Sequence, residues 1–151
     1  MQMNGLAELI TIARYRDRWA DQRFVVAVLH NDDLNQVTWE LRALGGEPKF
    51  VPSQAIPDVS YAGFARDVGL AGITVDDPAD LAAAWDAALS ADRPTVLDVR
   101  TDPDFPPIPP HTTLEQARKT AAAMLKGDED RGGMLAAGLR TKVQELLPHR
   151  D

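Results

Sequence analysis

The stretch Phe24-Val-Val-Ala-Val-Leu29, followed at once by His30-Asn-Asp-Asp33, decides the fold class of this chain. Six apolar residues, three of them valines and none polar, are typical of a strand that is covered on both faces of a sheet. Residues 34–44 then carry apolar side chains at helical spacing and end at Gly45-Gly46. The stripe consists of Leu34, Val37, Leu41 and Leu44. This order predicts a central parallel strand followed by a helix.

Strands and helices continue to alternate along the rest of the chain. Further strands are predicted over residues 72–75 and 94–100, and residues 47–58, with few periodic positions, are predicted to form an ordered surface loop. The other predicted helices span residues 5–15, 60–68, the segment opened by Asp77-Pro78, 113–125 and 134–147. This alternation predicts an α/β fold with three α/β/α layers and a parallel sheet.

Local capping signals place several helix ends. Asn4, Ser60 and Asp77 are predicted N-caps, and Gly69 is a predicted stop. Thr112-Thr-Leu-Glu-Gln116 contains two overlapping capping boxes. The predicted inward stripes are Tyr61, Phe64, Ala65 and Val68; Leu81, Ala84, Trp85 and Ala88; and Leu135, Leu139, Val143 and Leu146. Trp39 also fits a core or interface stripe better than a cofactor-stacking role.

Composition and charge exclude several classes of function. The 151 residues carry a formal charge of −7, which argues against capture of nucleic acid or anionic lipid. The chain contains no cysteine, so disulfides and thiolate chemistry are excluded and a cytoplasmic location is expected. The longest apolar run is too short for a membrane span, and the first residues do not form a secretory signal.

Candidate chemistry lies after Leu29, because ligands of open α/β sheets bind beyond the carboxyl ends of the strands. Asn31, Asp32 and Asp33 bring oxygen donors suited to a hard cation such as Mg²⁺. The alternative is that the two aspartates cap the next helix. His30 is interpreted as a strand-end side chain, since no nucleophile with a supporting carboxylate can be placed beside it. The charge run Lys126–Arg131 is interpreted as a solvated turn.

Three segments resemble the C-terminal, diphosphate-binding domain of thiamine diphosphate enzymes, within them the acetolactate synthase and pyruvate oxidase group. They are residues 3–9 (MNGLAEL), residues 25–40 (VVAVLHNDDLNQVTWE) and residues 108–116 (IPPHTTLEQ). The resemblance implies thiamine diphosphate and Mg²⁺ as cofactors. It implies that Asn31 matches the first asparagine of the family's metal motif and that Asp32 stands where the metal-binding asparagine is usual. The Leu34 carbonyl matches the backbone metal ligand, and Gln2 and Met3 match the segment beside the cofactor.

The sequence departs from the family's pattern before the first strand. Gly-Asp-Gly, which supplies the first magnesium ligand, is not found there, so the fold is expected to be an incomplete thiamine diphosphate-binding fold. Residues 1–126 are expected to form the partial domain, with residues 127–151 as a helical tail packed on it. The isolated chain is expected to be inactive and to bind cofactor weakly. Its expected partners are the remaining domains of such an enzyme or further copies of itself, not nucleic acid or membrane.

Three functions remain open at this stage. The resemblance favours the cofactor-binding portion of an enzyme that decarboxylates a 2-oxo acid. The missing Gly-Asp-Gly favours a non-catalytic remnant or assembly module of the same fold. Asp32 and Asp33 alone are compatible with a flavodoxin-like regulatory domain that binds Mg²⁺.

Overall fold

The computed structural model describes residues 5–105 and 113–146, and the side chains of residues 5–105 and 113–140. The predicted cap Asn4, the predicted site residues Gln2 and Met3, and Thr112 lie outside these residues. The chain divides into two compact units, each described by itself below. The sheet unit comprises Met1–Asp32 and Ile56–Thr101, and the helical unit comprises Asp33–Ala55 and Asp102–Asp151.

Three strands and seven α-helices make up the described secondary structure. The strands are β1 (Val25–His30), β2 (Ala71–Val75) and β3 (Thr95–Arg100). The helices are α1 (Glu8–Tyr15), α2 (Asn35–Glu40), α3 (Val51–Gln54), α4 (Tyr61–Asp67), α5 (Leu81–Ser90), α6 (Leu114–Leu125) and α7 (Arg131–Leu146). Short 3₁₀ turns span Arg16–Arg18 and Pro78–Asp80, and a π-helical turn spans Leu41–Gly45.

The sheet unit is a three-stranded parallel sheet in the order β1-β3-β2. Neighbouring residues of β3 point to opposite faces, and each face has its own core. One core contains Leu9, Val28, Tyr61, Ala65, Leu70 and Val96; the other contains Val75, Ala84, Ala88 and Leu97. Helices α1 and α4 therefore cover one face and α5 covers the other. The predicted α/β class with a parallel sheet is confirmed.

The prediction that β1 is central and covered on both faces is wrong. Within the described residues β3 is the central strand and β1 lies at the edge of the sheet. On the α5 side of the sheet, Ala27 is exposed and 66% of Leu29 is exposed. An apolar run indicates a strand, but strand order depends on pairing with residues about 70 positions away, which the run itself does not contain.

In the helical unit, α2 and the π-helical turn bury the face opposite to the one predicted. Val37 and Leu44 are largely exposed, whereas Thr38, Trp39, Arg42 and Ala43 are buried. A polar contact accounts for this difference. Arg42 forms a buried ion pair with Asp128, which holds the Arg42 side of the helix in the interior. The predicted stripe over residues 34–44 is therefore wrong, and the core position predicted for Trp39 is confirmed.

The predicted caps at Ser60, Asp77 and Thr113 are confirmed, whereas the alternative that Asp32 and Asp33 cap α2 is wrong. The Ser60 side chain accepts a hydrogen bond from the Gly63 amide, and that of Asp77 accepts one from Ala79. Thr113 and Gln116 form the reciprocal bonds of a capping box at the start of α6. These motifs lie within three residues of the helix end, so the local sequence contains everything they need.

Three smaller predictions are wrong. The loop predicted for residues 47–58 contains the single turn α3, with Pro52 in its first turn. Leu135 and Leu139 of α7 are exposed, and Met134 is buried instead; the side chains of Val143 and Leu146 lie outside the described residues.

Trp85 of α5 is 37% exposed, although Ala84 and Ala88 beside it are buried as predicted. In α5, small alanines let the helix lie close to the sheet while the larger indole stays at the rim.

Candidate functional site

His30 is the last residue of β1, and its side chain is fully buried. Its Nδ1 lies 2.6 Å from Oδ1 of Asp98, and its Nε2 lies 2.6 Å from Oδ1 of Asp32. Nε2 is also 3.5 Å from Oδ1 of Asp58. The imidazole is thus held between carboxylates at the carboxyl ends of two parallel strands, where α/β proteins bind ligands.

Asp98, in the middle of the sheet, fixes the imidazole. It lies opposite Val28 in the register of β1 and β3 and is 2% exposed. Its Oδ2 accepts hydrogen bonds from the backbone amides of Tyr61 and Ala62, at 3.1 and 3.3 Å, which are the first amides of α4. The Tyr61 ring meets the His30 ring edge to face at 4.7 Å. Asp98 is therefore a satisfied buried carboxylate and a rigid acceptor for Nδ1.

Arg100 ends β3 and supplies the positive charge of this cluster. Its Nη2 donates to Asp58 at 2.8 Å, and its Nη1 lies 3.3 Å from Oδ2 of Asp32 and 3.1 Å from Nε2 of His30. The hydrogen bond to Asp58 raises the pKa of Arg100, against a smaller opposing effect of burial. We refer to His30, Asp32, Asp58, Asp98 and Arg100 as the His30 network. All five belong to the sheet unit.

The carboxylates of this network also act on Tyr61, against an opposing effect of Arg100. Burial, followed by the charges of Asp32, Asp98 and Asp58, raises the pKa of Tyr61. The outer members are accessible, since the side chains of Arg100, Asp32 and Asp58 are 35%, 40% and 67% exposed. The network therefore presents carboxylates to solvent around a buried imidazole.

The predicted cofactor segment divides between the two units. Asn31 and Asp32 close the first segment of the sheet unit, and Asp33 and Leu34 begin the helical unit. Asp32 has a positive φ of 54° and uses its carboxylate in the His30 network. Leu34, and neither aspartate, occupies the N-cap position of α2. Its carbonyl accepts the Thr38 amide at 3.0 Å, which leaves a second lone pair on that oxygen.

Sequence reasoning missed most of the His30 network. The predicted strand-end position of His30 is confirmed, but the sequence did not indicate the carboxylates of Asp98 and Asp32 that contact it. Asp98 could have been found from the sequence, because it is a charged residue between the apolar Leu97 and Val99 of a strand, and charged residues are buried only with partners. Asp58 and Arg100 gave no such signal, since exposed charges at loop and strand ends are common.

A second buried charge cluster lies in the helical unit. Arg42 donates to both carboxylate oxygens of Asp128, at 2.8 and 2.7 Å, and to Asp130 at 2.7 Å. Lys49 lies 3.3 Å from Asp130 and 3.4 Å from Asp33. We refer to these five residues as the Arg42 network. Asp128 is 1% exposed, so the solvated turn predicted for residues 126–131 is wrong at this position.

No helix in the part of the chain that the structure describes is long and apolar enough to cross a membrane. Residues 1–99 match the family described as thiamine pyrophosphate enzyme, C-terminal TPP binding domain. The chain belongs to this family. It is also 35% identical over 101 residues to a putative thiamine pyrophosphate-containing protein, YdaP, of Bacillus subtilis. That alignment covers 67% of this chain and 17% of the relative, so the chain spans about a sixth of the length of the curated relative it matches.

Membership in this family directs attention to residues 31–34. Their donors are an amide oxygen, a carboxylate and a backbone carbonyl, all hard oxygen ligands of the kind that Mg²⁺ takes. The Leu34 carbonyl fits that requirement with its second lone pair, and Asn31 fits it by the chemistry of its amide oxygen. Asp32 could bind the cation only by giving up its present partners, because the cation would compete with Arg100 and His30 for its two oxygens.

Proposed function

We propose that this chain supplies the thiamine diphosphate and Mg²⁺ binding portion of a 2-oxo acid decarboxylating enzyme similar to acetolactate synthase or pyruvate oxidase. The observation that carries the proposal is the family match over residues 1–99, with Asn31 and Asp32 directly after a parallel strand. The similarity to a thiamine pyrophosphate-containing protein supports the same cofactor. When bound, thiamine diphosphate supplies the carbon–carbon bond chemistry.

The chain's own residues would hold and orient the magnesium diphosphate. We assign magnesium contacts to the Asn31 amide oxygen, the Leu34 carbonyl and, after exchange with Arg100, the Asp32 carboxylate. Gln2 and Met3 are proposed to lie along the cofactor. The backbone at Asp32 is held in the left-handed region, where few residues other than glycine are comfortable. Its positive φ fixes the direction in which the segment leaves β1 and is the kind of local strain found at ligand sites.

The rest of the reaction requires groups outside the residues assigned here. We propose that the partners are further domains of a longer enzyme or further copies of this chain, and that Mg²⁺ accompanies the diphosphate. Because the sequence lacks Gly-Asp-Gly ahead of β1, we expect the chain alone to bind cofactor more weakly than micromolar and to show no decarboxylation above a cofactor blank.

Calorimetric titration with thiamine diphosphate at millimolar concentrations tests this proposal. Binding should require Mg²⁺ and should correspond to about −4 to −8 kcal/mol, the range between millimolar and micromolar dissociation constants. Asn31→Ala should abolish the heat of binding. Gln36→Ala, which removes an exposed amide five residues away, should leave it unchanged.

Two results would contradict the proposal. One is binding that is equally strong with Mg²⁺ removed by chelation. The other is binding that survives in the Asn31 variant.

A further inference from the structure

We propose that the His30 network is a second, nitrogen-containing metal site, formed by His30 Nε2, Asp32 and Asp58 and selective for a borderline transition metal such as Zn²⁺. One ligand atom from each of these residues lies within 4.8 Å of the others. The site shares the Asp32 carboxylate with the magnesium contacts assigned above and differs from them in its other two donors, the His30 imidazole and the Asp58 carboxylate. The proposal does not depend on thiamine diphosphate, and its test uses none.

The contacts of the imidazole carry the argument. Both ring nitrogens face a carboxylate oxygen at 2.6 Å. The two carboxylates differ in how firmly the protein holds them, since Asp98 is 2% exposed and the Asp32 side chain is 40% exposed. Asp98 is the fixed acceptor, because its other oxygen is bound by two amides of α4. Nδ1 therefore contacts the fixed carboxylate of Asp98, and Nε2 faces Asp32 and Asp58.

This arrangement is the one that orients a metal-binding histidine. Histidine ligands commonly donate their second ring N–H to a carboxylate, which fixes the tautomer and makes the ligating nitrogen more basic. Asp98 is built into the central strand and holds the buried ring from one side. The outward nitrogen is thus presented to the two accessible carboxylates.

Charge also favours a cation at this position. The negative charges here outnumber the single guanidinium of Arg100. They belong to Asp32, Asp58, Asp98 and Asp76, the last of which lies 3.9 Å from Arg100. Arg100 Nη1 already lies 3.1 Å from Nε2, so it occupies part of the space that a metal ion would take. Its side chain is 35% exposed and can turn to solvent, which makes Arg100 the internal competitor of the metal.

A ligand set of one imidazole and two carboxylates determines which class of metal ion binds. Nitrogen ligands favour Zn²⁺ and Co²⁺ over Mg²⁺, which prefers oxygen ligands alone. Co²⁺ is a suitable probe because its visible absorption reports nitrogen ligation and geometry. The experiment is titration of the full chain with Co²⁺, followed by displacement with Zn²⁺ and, separately, with excess Mg²⁺.

We expect a saturable Co²⁺ spectrum that Zn²⁺ removes and Mg²⁺ does not. Arg100→Ala should tighten binding, since the competing cation is gone. Asp98→Asn should weaken binding by about 10-fold to 100-fold, as loss of an orienting carboxylate does. Asp58→Asn should weaken it at least as much, and this variant is expected to fold because Asp58 is 67% exposed. Asp80→Asn, at an exposed aspartate outside the network, is the matched control.

Absence of Co²⁺ binding in both the unaltered chain and Arg100→Ala would overturn the proposal. So would binding that Asp58→Asn and Asp80→Asn affect equally, or binding that Mg²⁺ displaces as readily as Zn²⁺. His30→Gln should lose the spectrum altogether, and circular dichroism of that variant would separate loss of the ligand from loss of the fold.

Discussion

The Arg42 network and the His30 network contain the same residue types but differ in their access to solvent. Each surrounds an arginine with aspartates, and each contains a buried carboxylate, Asp128 or Asp98. The Arg42 side chain is fully buried, whereas that of Arg100 is 35% exposed. The closed Arg42 network sets two cations, Arg42 and Lys49, against three aspartates, and we expect it to stabilise the fold. The open His30 network sets one guanidinium against three aspartates, and we expect it to be the part that can take up a ligand. The predictions below test this distinction.

The largest effect is expected from Arg42→Ala. This change leaves Asp128 buried without its partner, and breaking a buried pair in this way costs about 3–5 kcal/mol of unfolding free energy. Urea unfolding measures it. Arg93→Ala, which breaks the exposed pair with Asp92, is the control and should leave the midpoint nearly unchanged. Equal losses in the two variants would show that the closed network contributes no more than a surface pair.

The same network should make the fold sensitive to acid. Burial opposes ionisation of Asp128, but hydrogen bonds from Arg42 and from the amides of Lys49 and Asp130 prevail and hold the pKa of Asp128 below its usual 3.8. A lowered pKa in the folded state contributes stability above pH 3.8, and this contribution is lost as the pH falls through the folded value. Asp128→Asn should remove that part of the acid dependence, and a profile unchanged from that of the unaltered chain would contradict the assignment.

Asp98→Ala should have the next largest effect. The change leaves the His30 ring and the first amides of α4 without their acceptor, so we expect a loss of about 3 kcal/mol in urea unfolding. Asp58→Asn, at an exposed member of the same network, should cost far less. A similar loss in both variants would mean that the open edge of the His30 network is as structural as its buried centre.

Two glycines provide a smaller and purely steric comparison. A Cβ on Gly72 of β2 would lie 2.1 Å from the Ala62 carbonyl oxygen of α4, so Gly72→Ala should destabilise the fold by about 1–3 kcal/mol. No atom lies within 4 Å of the corresponding position on Gly138 of α7. Gly138→Ala should therefore be neutral or stabilising by up to about 1 kcal/mol, the helix propensity difference. Thermal melts measure the change in melting temperature of both variants. Changes of the same sign and size in Gly72→Ala and Gly138→Ala would contradict the close contact described for Gly72.

The smallest effect concerns Asp104 in the helical unit. Burial, followed by repulsion from Asp130 and Asp102, raises the pKa of Asp104. A raised pKa in the folded state means that the ionised carboxylate costs stability at neutral pH and that the cost disappears in acid. Asp104→Asn should therefore raise stability by up to about 0.5 kcal/mol at neutral pH, the usual range for such sites. A gain that persists unchanged in acid would contradict an electrostatic origin.

The features that could be predicted from the sequence are local ones. Ser60, Asp77 and Thr113 cap helices through amides two or three residues away, so the motif contains both partners. The face of α2 could not be predicted in this way. Val37 and Leu44 give the helix an apolar stripe, but a pair between Arg42 and Asp128, 86 positions apart, decides which face is buried.

The candidate site likewise combines features that are local in the sequence with features that depend on distant residues. The cluster after Leu29 was recognisable because it follows a strand, and the family resemblance directed attention to Asn31 and Asp32. The partners of His30 come from other strands and loops, and only the parallel register of β1 and β3 brings Asp98 and Arg100 beside it. Residue types alone therefore predict oxygen donors at this edge, but they do not predict the contacts that the His30 imidazole makes there.

The most direct test of the account is an amide ¹H–¹⁵N spectrum of the full chain titrated with thiamine diphosphate in Mg²⁺. Shifts should concentrate at residues 31–34, where the open edge begins, and should be small at Lys49 and residues 128–130 of the closed network. They should disappear when Mg²⁺ is chelated. Shifts centred on the closed network, or none at residues 31–34 at millimolar cofactor, would contradict the claim that the strand-end segment is the cofactor-binding part of this chain.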